Sequence, residues 1–423
     1  MTSMHNPGNG TGIVPARLLL PGENTDWRKW ACVACDQYTS QPEYWRDVAQ
    51  LVGQELSTLH MILPECELPA APERIEQIHQ AMRDMEGKLR PAVEDGYVLL
   101  ERMTTDGMRL GLVCCVDLEQ YAYDGRKTVI RPTEETVASR LPPRLAVRNG
   151  ALLESSHVML LVDDVERTVI EPLYQRRESL TLLYDFDLMM DSGHVRGWAV
   201  TEKQDKQQIT DALLRLKAAL GADPLLLAVG DGNHSLATAK AYWEQVKTTL
   251  SETEQLQHPA RYAMVELVNI HDPALVFEPI HRVLKGMAAA EVMADFVHYS
   301  ASHGIRHADA PADGLQEVRF VSSDAETPVY VAREQDELPV AMMQEWLDDL
   351  LARHPELSID YIHGDDVLRR LSQQEKSMGV LLPVLHKRDF FLAIEQLGIL
   401  PRKTFSMGHA QDKRFYMECR KIQ

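Results

Sequence analysis

The chain has 423 residues, 45% of them hydrophobic and 25% charged, with 44 Lys and Arg against 63 Asp and Glu and a net charge of −19. This length predicts two or three domains, and the acidic balance argues against nucleic acid or anionic lipid as partners while leaving room for an anionic small molecule in a locally cationic pocket. No window approaches ~18 uninterrupted apolar residues, Arg17 interrupts the apolar stretch of the opening segment, and the six cysteines make no disulfide framework, so the expected compartment is the cytoplasm.

Residues 11–35 read as loop and short strand. Tyr44, Trp45, Val48, Leu51, Val52 and Leu56 recur at helical spacing and predict a helix over 42–59. Pro72 opens a second, with Ile75, Ile78 and Met82 as its stripe. YVLLERMT, MRLGLVCCVDL and HVMLLVDD have strand character. Residues 166–184 are expected to be helical, as are 205–220, where Ile209, Leu213, Leu214, Leu216 and Leu220 face inward. LLLAV, at 225–229, predicts a buried strand, and from Ser235 onward Leu236, Ala239, Trp243 and Val246 mark one face of a helix. RYAMVELVNI and LVFEPIHRVL read as strands, 288–299 as helix, and a fresh strand–helix alternation begins near 316. The expected fold is α/β, cut near 130 and 300 into regions 1–130, 131–300 and 301–423.

The sharpest feature is GDGNHS, residues 230–235, between the leucine-rich strand and the helix. A helix N-terminus offers free N–H groups and the positive end of a dipole to an anion. Gly230 and Gly232 permit unusual φ and close approach of a ligand. Asp231 suits a metal ion or a proton, and His234 a phosphate oxygen or a hydroxyl. Asn233 and Ser235 add donors. The same residues also fit an ordinary Asp-Gly turn and helix cap, and the spacing matches neither the Walker loop nor GxGxxG.

Other constellations carry two readings each. In RPTEETVASRLPPR, Glu134 is placed as a general base, or Thr133 to Thr136 is a capping box with acids in the first turn. In EPIHR, His281 and Arg282 follow a strand, where Arg suits phosphate or carboxylate, or pairs with surface acid. Cys32-x-x-Cys35 lacks the second ligand pair that zinc needs, so these cysteines read as structural. Trp198 is a stacking platform or core. Lys403, His409, Lys413 and Arg414 make the C-terminal KTFSMGHAQDKRFYM either a basic strand closing over the site or a basic surface edge.

GDGNHSLATAK resembles the D-G-H-H-R motif of a prokaryotic family known as domain of unknown function ten-fifteen. ACDQYTSQPEYW, RPTEETVASRL, LVNIHDPALVFEPIHRVL and LPRKTFSMGH resemble further segments of it, in order, over nearly the whole chain. The resemblance places Asp36 on the family's loop aspartate, for substrate or metal, and Arg131, His281, Arg282 and Lys403 on matching segments. The motif is also similar to the phosphate loop of free-serine kinases with a ParB/sulfiredoxin-like fold, which implies such a core over 131–300. Asn233 stands where the family has its first His and Ser235 where it has Arg, so the loop lacks its own cation. Arg131, His281, Arg282 and Lys403 are the candidates to supply it.

The resulting expectation is a nucleotide-dependent phosphotransferase acting on a small hydroxyl compound, free serine or phosphoserine first. ADP or ATP with Mg²⁺ would be the cofactors and Asp231 the metal ligand. Glu134, His234 and Asp231 would be the catalytic set. Gly230, Gly232, Asn233, Ser235, Arg131, His281, Arg282 and Lys403 would bind phosphate. The alternatives are a non-catalytic nucleotide-binding regulator and a metal-dependent hydrolase using Asp231 and His234. Nucleic acid and membrane are not expected partners.

Overall fold

The computed structural model describes residues 10–39, 41–68, 70, 72–333, 337–401 and 403–423. The chain divides into two compact units, one of residues 1–276 and 408–423, the other of residues 277–407. Of the expected cuts, 130 falls on a strand of the first unit and 300 inside a helix of the second.

The first unit is built on a ten-stranded sheet. In chain order its main elements are β1 (Ala16–Pro21), α1 (Pro42–Val52), α2 (Pro72–Glu86), β2 (Leu89–Thr104), β3 (Gly107–Asp117), β4 (Ile130–Pro132), α3 (Leu141–Arg148), β5 (Met159–Val162), β6 (Thr181–Asp187), β7 (His194–Val200), α4 (Lys203–Ala218), β8 (Leu227–Asp231), α5 (Asn233–Val246) and β9 (Tyr262–Asn269). The strands run β4-β8-β5-β9-β3-β2-β7-β6, with β1 on β2 and Ile13–Val14 on β3. The sheet is mixed: β8 is parallel to β4 and β9 to β5, and the other pairs are antiparallel.

Its central strands are apolar on both faces, because helices cover both. Along β3, Val113 and Cys115 join one core with Trp45 and Val48 of α1 and Ile78 and Met82 of α2. Leu112, Cys114 and Val116 point the other way, into a core with Ile209 and Leu213 of α4 and Leu236 and Trp243 of α5. Each such side chain contributes about 1.5–3 kcal/mol on burial. Trp198 lies in this second core, the structural role of its two readings.

The predicted helix over 166–184 is not formed as such. Glu171–Gln175 is a short helix with Pro172 in its first turn, and from Thr181 the chain extends as β6. The reason is tertiary: β6 pairs with β7, and Gly197 there leaves the room that the Tyr184 ring fills. The 42–59 helix also stops early, at Val52, where Gly53 turns out at φ +58°.

The second unit holds a seven-stranded antiparallel sheet around Phe277–Lys285. Ala289–Ser302 and Pro339–Arg353 pack on it through Phe296 and Trp346 against Phe320. Among the described residues no helix is long and apolar enough to cross a membrane. The architecture is thus mixed α/β with large sheets.

Candidate functional site

The parallel pairing of β8 with β4 sets Val229 opposite Pro132, so GDGNHS and RPTEET leave the sheet side by side. Gly230 sits where the β8–β5 register breaks. Thr133 Oγ1 donates to the Val229 carbonyl at 2.7 Å, and the Thr133 N–H to Asn233 Oδ1 at 3.3 Å. Asn233 Nδ2 donates back to Thr133 Oγ1 at 3.2 Å, and the Val137 N–H donates to His234 Nε2 at 3.2 Å. The side chains of Asn233 and His234 therefore clasp residues 133–137, and half-buried Glu134 lies on that clasped segment. His234 Nε2 is an acceptor here, so the ring anchors this loop at that nitrogen.

Gly232 is the residue before α5 and has φ +80°. A side chain there would be strained by conformation and would crowd its neighbours: a Cβ would lie 3.0 Å from Val158 Cγ2 and 3.3 Å from His157 Nε2. The first turn of α5 receives no side-chain cap and contains no acid. An anion-favouring helix end is left uncapped by the protein's own side chains at that position.

Two carboxylates and two basic groups gather around this turn. Asp231 Oδ1 accepts the Gly232 N–H at 2.9 Å, while Oδ2 is buried without a hydrogen bond, 3.5 Å from Lys413 Nζ. Asp36 Oδ1 stands 3.8 Å from His157 Nε2 and accepts from Gln37 Nε2 at 3.3 Å. Burial pushes the Asp36 carboxyl up, but His157, Lys413 and the Gln37 amide outweigh it and hold it below its ordinary value. Arg414, next to Lys413, is fully buried between Glu266 and Glu418, and its Nε donates to the Ser156 carbonyl at 2.9 Å. It therefore fixes the main chain beside both Lys413 and His157.

Behind the turn lies a cavity of about 160 Å³. Apolar Met61, Met82 and Leu236 line it together with Ser235, His157 and Tyr416.

The structure thus unites Asp36, Glu134, Gly230, Asp231, Gly232, Asn233, His234 and Ser235 in the first unit. Of the four expected cations, only Arg131 belongs to the first unit. Arg131 is turned away, its Nε donating to the Thr128 carbonyl at 3.0 Å and its Nη2 to that of Asp223 at 2.7 Å. His281, Arg282 and Lys403 belong to the second unit. His281 is buried between Asp365 (2.9 Å) and the Leu382 N–H (3.2 Å), and burial lowers its pKa despite Asp365. Arg282 is fully buried, donating to Gln344 Oε1 at 3.1 Å and to the Lys403 carbonyl at 2.9 Å, with its guanidinium 5.0 Å from the Tyr361 ring. Their polar atoms serve that unit's own packing. Lys403 lies at φ +58° and is exposed.

His157 is the residue that sequence reasoning did not name, whereas Lys413 was named in the C-terminal segment read as closing over the site or forming a surface edge, and the structure sets it beside Asp231. For Lys413 the signal was the basic pair 413–414; for His157, at the head of a strand, there was none. Cys32 is buried, Cys35 part-buried, and burial raises both thiols to about 12, which makes them inert near neutrality. Among the described residues no three His, Cys, Asp or Glu side chains are gathered to hold a metal.

No curated protein matches the chain. Among solved structures it is similar to SbnI with a C-terminal truncation from Staphylococcus aureus (10% identity, 70% of this chain and 82% of that one, TM-score 0.37). It is similar to a conserved hypothetical protein from Pyrococcus furiosus (10%, 74% and 95%, 0.36) and to a free serine kinase in complex with AMP (10%, 74% and 91%, 0.38). The family model described as "Protein of unknown function (DUF1015)" matches residues 13–356. The chain is therefore a member of that family.

Proposed function

We propose that the turn before α5 is a phosphate site and that the protein moves a phosphoryl group between a nucleotide, ADP or ATP, and a small hydroxyl compound, with free serine or phosphoserine the compounds to test first. A ParB/sulfiredoxin-like core within the first unit, from residue 131 onward, and a cytoplasmic setting are part of this reading. The observation that carries it is Lys413 Nζ beside Asp231 at an uncapped helix N-terminus headed by a left-handed glycine. Lys413 takes the place of the motif arginine that Ser235 does not supply.

Catalysis in such a site is mainly positioning and neutralisation. The N–H groups of the first turn donate to the phosphate oxygens, Lys413 offsets their charge, and Asn233 and His234 hold the 133–137 segment in place. Glu134 would face the hydroxyl as base. Asp231, already facing an ammonium, and the lack of a three-donor cluster among the described residues do not make a resident metal site. Mg²⁺ would have to arrive with the nucleotide.

A second reading, a nucleotide-binding regulator without catalysis, is favoured by one observation: the Asn233 side chain and His234 Nε2 are spent on clasping the loop. Thermal-shift and turnover measurements separate the two. Purified protein should be stabilised by nucleotide, since a ligand of the folded state alone raises its melting point. It should also turn over serine with ADP or ATP, or phosphoserine with AMP, and Lys413→Met should lose both properties. Stabilisation without turnover selects the regulator; neither effect refutes the phosphate site.

A further inference from the structure

The reading above carries Glu134 over from the sequence as the group that takes the hydroxyl proton. We propose that it is His157, not Glu134, with Asp36 facing it; this rests on the phosphoryl-transfer reading and deepens it.

The ring of His157 is fixed at one end by a chain of hydrogen bonds. Its Nδ1 lies 2.8 Å from the Tyr416 hydroxyl. That hydroxyl donates to Cys35 Sγ at 3.2 Å and accepts from the Cys35 N–H at 3.4 Å. Placing the phenolic hydrogen on sulfur makes the phenolic oxygen the acceptor of a His157 N–H, and this arrangement puts the ring proton on Nδ1 and the lone pair on Nε2. Burial raises the Tyr416 hydroxyl well above its ordinary value and the Cys35 thiol to about 12. Neither ionises near neutrality, so the hydroxyl and the thiol stay neutral partners of the ring.

The free end of the ring faces the site. Nε2 is 3.8 Å from Asp36 Oδ1, and a Cβ at Gly232 would come within 3.3 Å of it. In this tautomer, Nε2 and the carboxylate are two acceptors facing each other too far apart for a hydrogen bond, with no hydrogen between them. A substrate hydroxyl set between them supplies it. The missing Cβ of Gly232 keeps the approach open, His157 also borders the 160 Å³ cavity, and although the His157 side chain is only 4% exposed, Asp36 keeps 32% of its own, so the approach to the ring is from the Asp36 side. Arg414 holds the carbonyl of the preceding Ser156, which fixes the base relative to Lys413.

The step balances. The hydroxyl proton passes to Nε2, and the pair left on oxygen forms the new O–P bond to the terminal phosphorus. The P–O bond to the leaving nucleotide breaks and takes its pair with it, giving ADP from ATP or AMP from ADP. The imidazolium faces Asp36 until it returns the proton to water. Asp36, Tyr416 and Cys35 are the titratable groups set along the ring, with Lys413 and Asp231 beside them.

The test combines a spectroscopic and a kinetic arm on the full chain. Nitrogen-15 histidine NMR, assigned with His157→Gln, should show His157 neutral at pH 8 with its proton on Nδ1, and Tyr416→Phe should release that preference. His157→Gln should lower kcat by 10²-fold or more with the nucleotide KM within threefold. Glu134→Gln should lower kcat less than His157→Gln does. A nucleotide-induced thermal shift retained in His157→Gln guards against misfolding. The inference is overturned if His157 carries its proton on Nε2 or is doubly protonated at pH 8, or if His157→Gln keeps kcat within threefold. Wild-type protein that turns over no nucleotide overturns the phosphoryl-transfer reading and the base with it, whereas turnover that survives in His157→Gln overturns the base alone.

Discussion

Replacing Arg414 by Met tests whether the site is held by a buried charge. Arg414, Glu266 and Glu418 are all fully buried. The guanidinium donates to Glu266 Oε2 at 3.0 Å, to Glu418 Oε2 at 2.7 Å and to the Ser156 carbonyl. Methionine of similar length fills the space but leaves Glu418 without this cation and Glu266 with Arg109 at 3.7 Å. Breaking a buried pair by removing one partner costs about 3–5 kcal/mol, and the lost carbonyl hydrogen bond about 1 more. At about 2–4 °C per kcal/mol for a unit of this size, the calorimetric Tm should fall by roughly 10–20 °C at pH 7.5. The deficit should shrink at pH 5.5, because a buried carboxylate that has lost its cation takes up a proton more readily. Arg414→Lys, which keeps charge but not the fork, should fall between. A Tm within 3 °C of wild type, or a deficit equal at both pH values, would refute the argument.

Two further predictions concern the turn itself. Gly232→Ala should cost about 1–2 kcal/mol for the left-handed backbone alone. It should also abolish any nucleotide-induced thermal shift, because its Cβ presses on Val158 and His157; a Gly232→Ala protein that still responds to nucleotide argues against a ligand at this turn. Asp36 has its folded pKa held below the ordinary value, so its contribution to stability is present above the unfolded value near 4 and lost as pH falls through the folded one. Asp36→Asn should flatten that acid limb of Tm against pH, and an unchanged limb in the variant counts against the pairing with His157 and Lys413.

The local parts of this site were legible. Five apolar residues at 225–229 and the helical spacing of Leu236, Ala239 and Trp243 lead to a buried strand and the helix Asn233–Val246, since periodicity depends on near neighbours. The neighbourhood of Glu134 was marked by the family resemblance, and the parallel β4–β8 pairing is its physical basis. The sequence could not rank the candidate cations, because charge in sequence says nothing of burial. Arg131 and Arg282 look as available as Lys413 until their main-chain and side-chain partners are seen. His157 meets Tyr416 across 259 residues, a pairing that only the folded sheet creates, and the strand at 181–187 depends in the same way on its partner β7.

The first unit is made of two stretches of chain that meet where the Gly408 N–H donates to the Val276 carbonyl at 3.1 Å, with residues 277–407 between them. A ribosome working at ~5–20 residues per second needs on the order of ten seconds to traverse that insertion. For that interval Glu266 waits without Arg414, Asp231 without Lys413, and His157 without Tyr416. Maturation of the pocket is thus gated by synthesis of the neighbouring module, and a nascent chain arrested within it would present a scaffold with its acids uncompensated, a natural client for chaperones and a poor binder of anions.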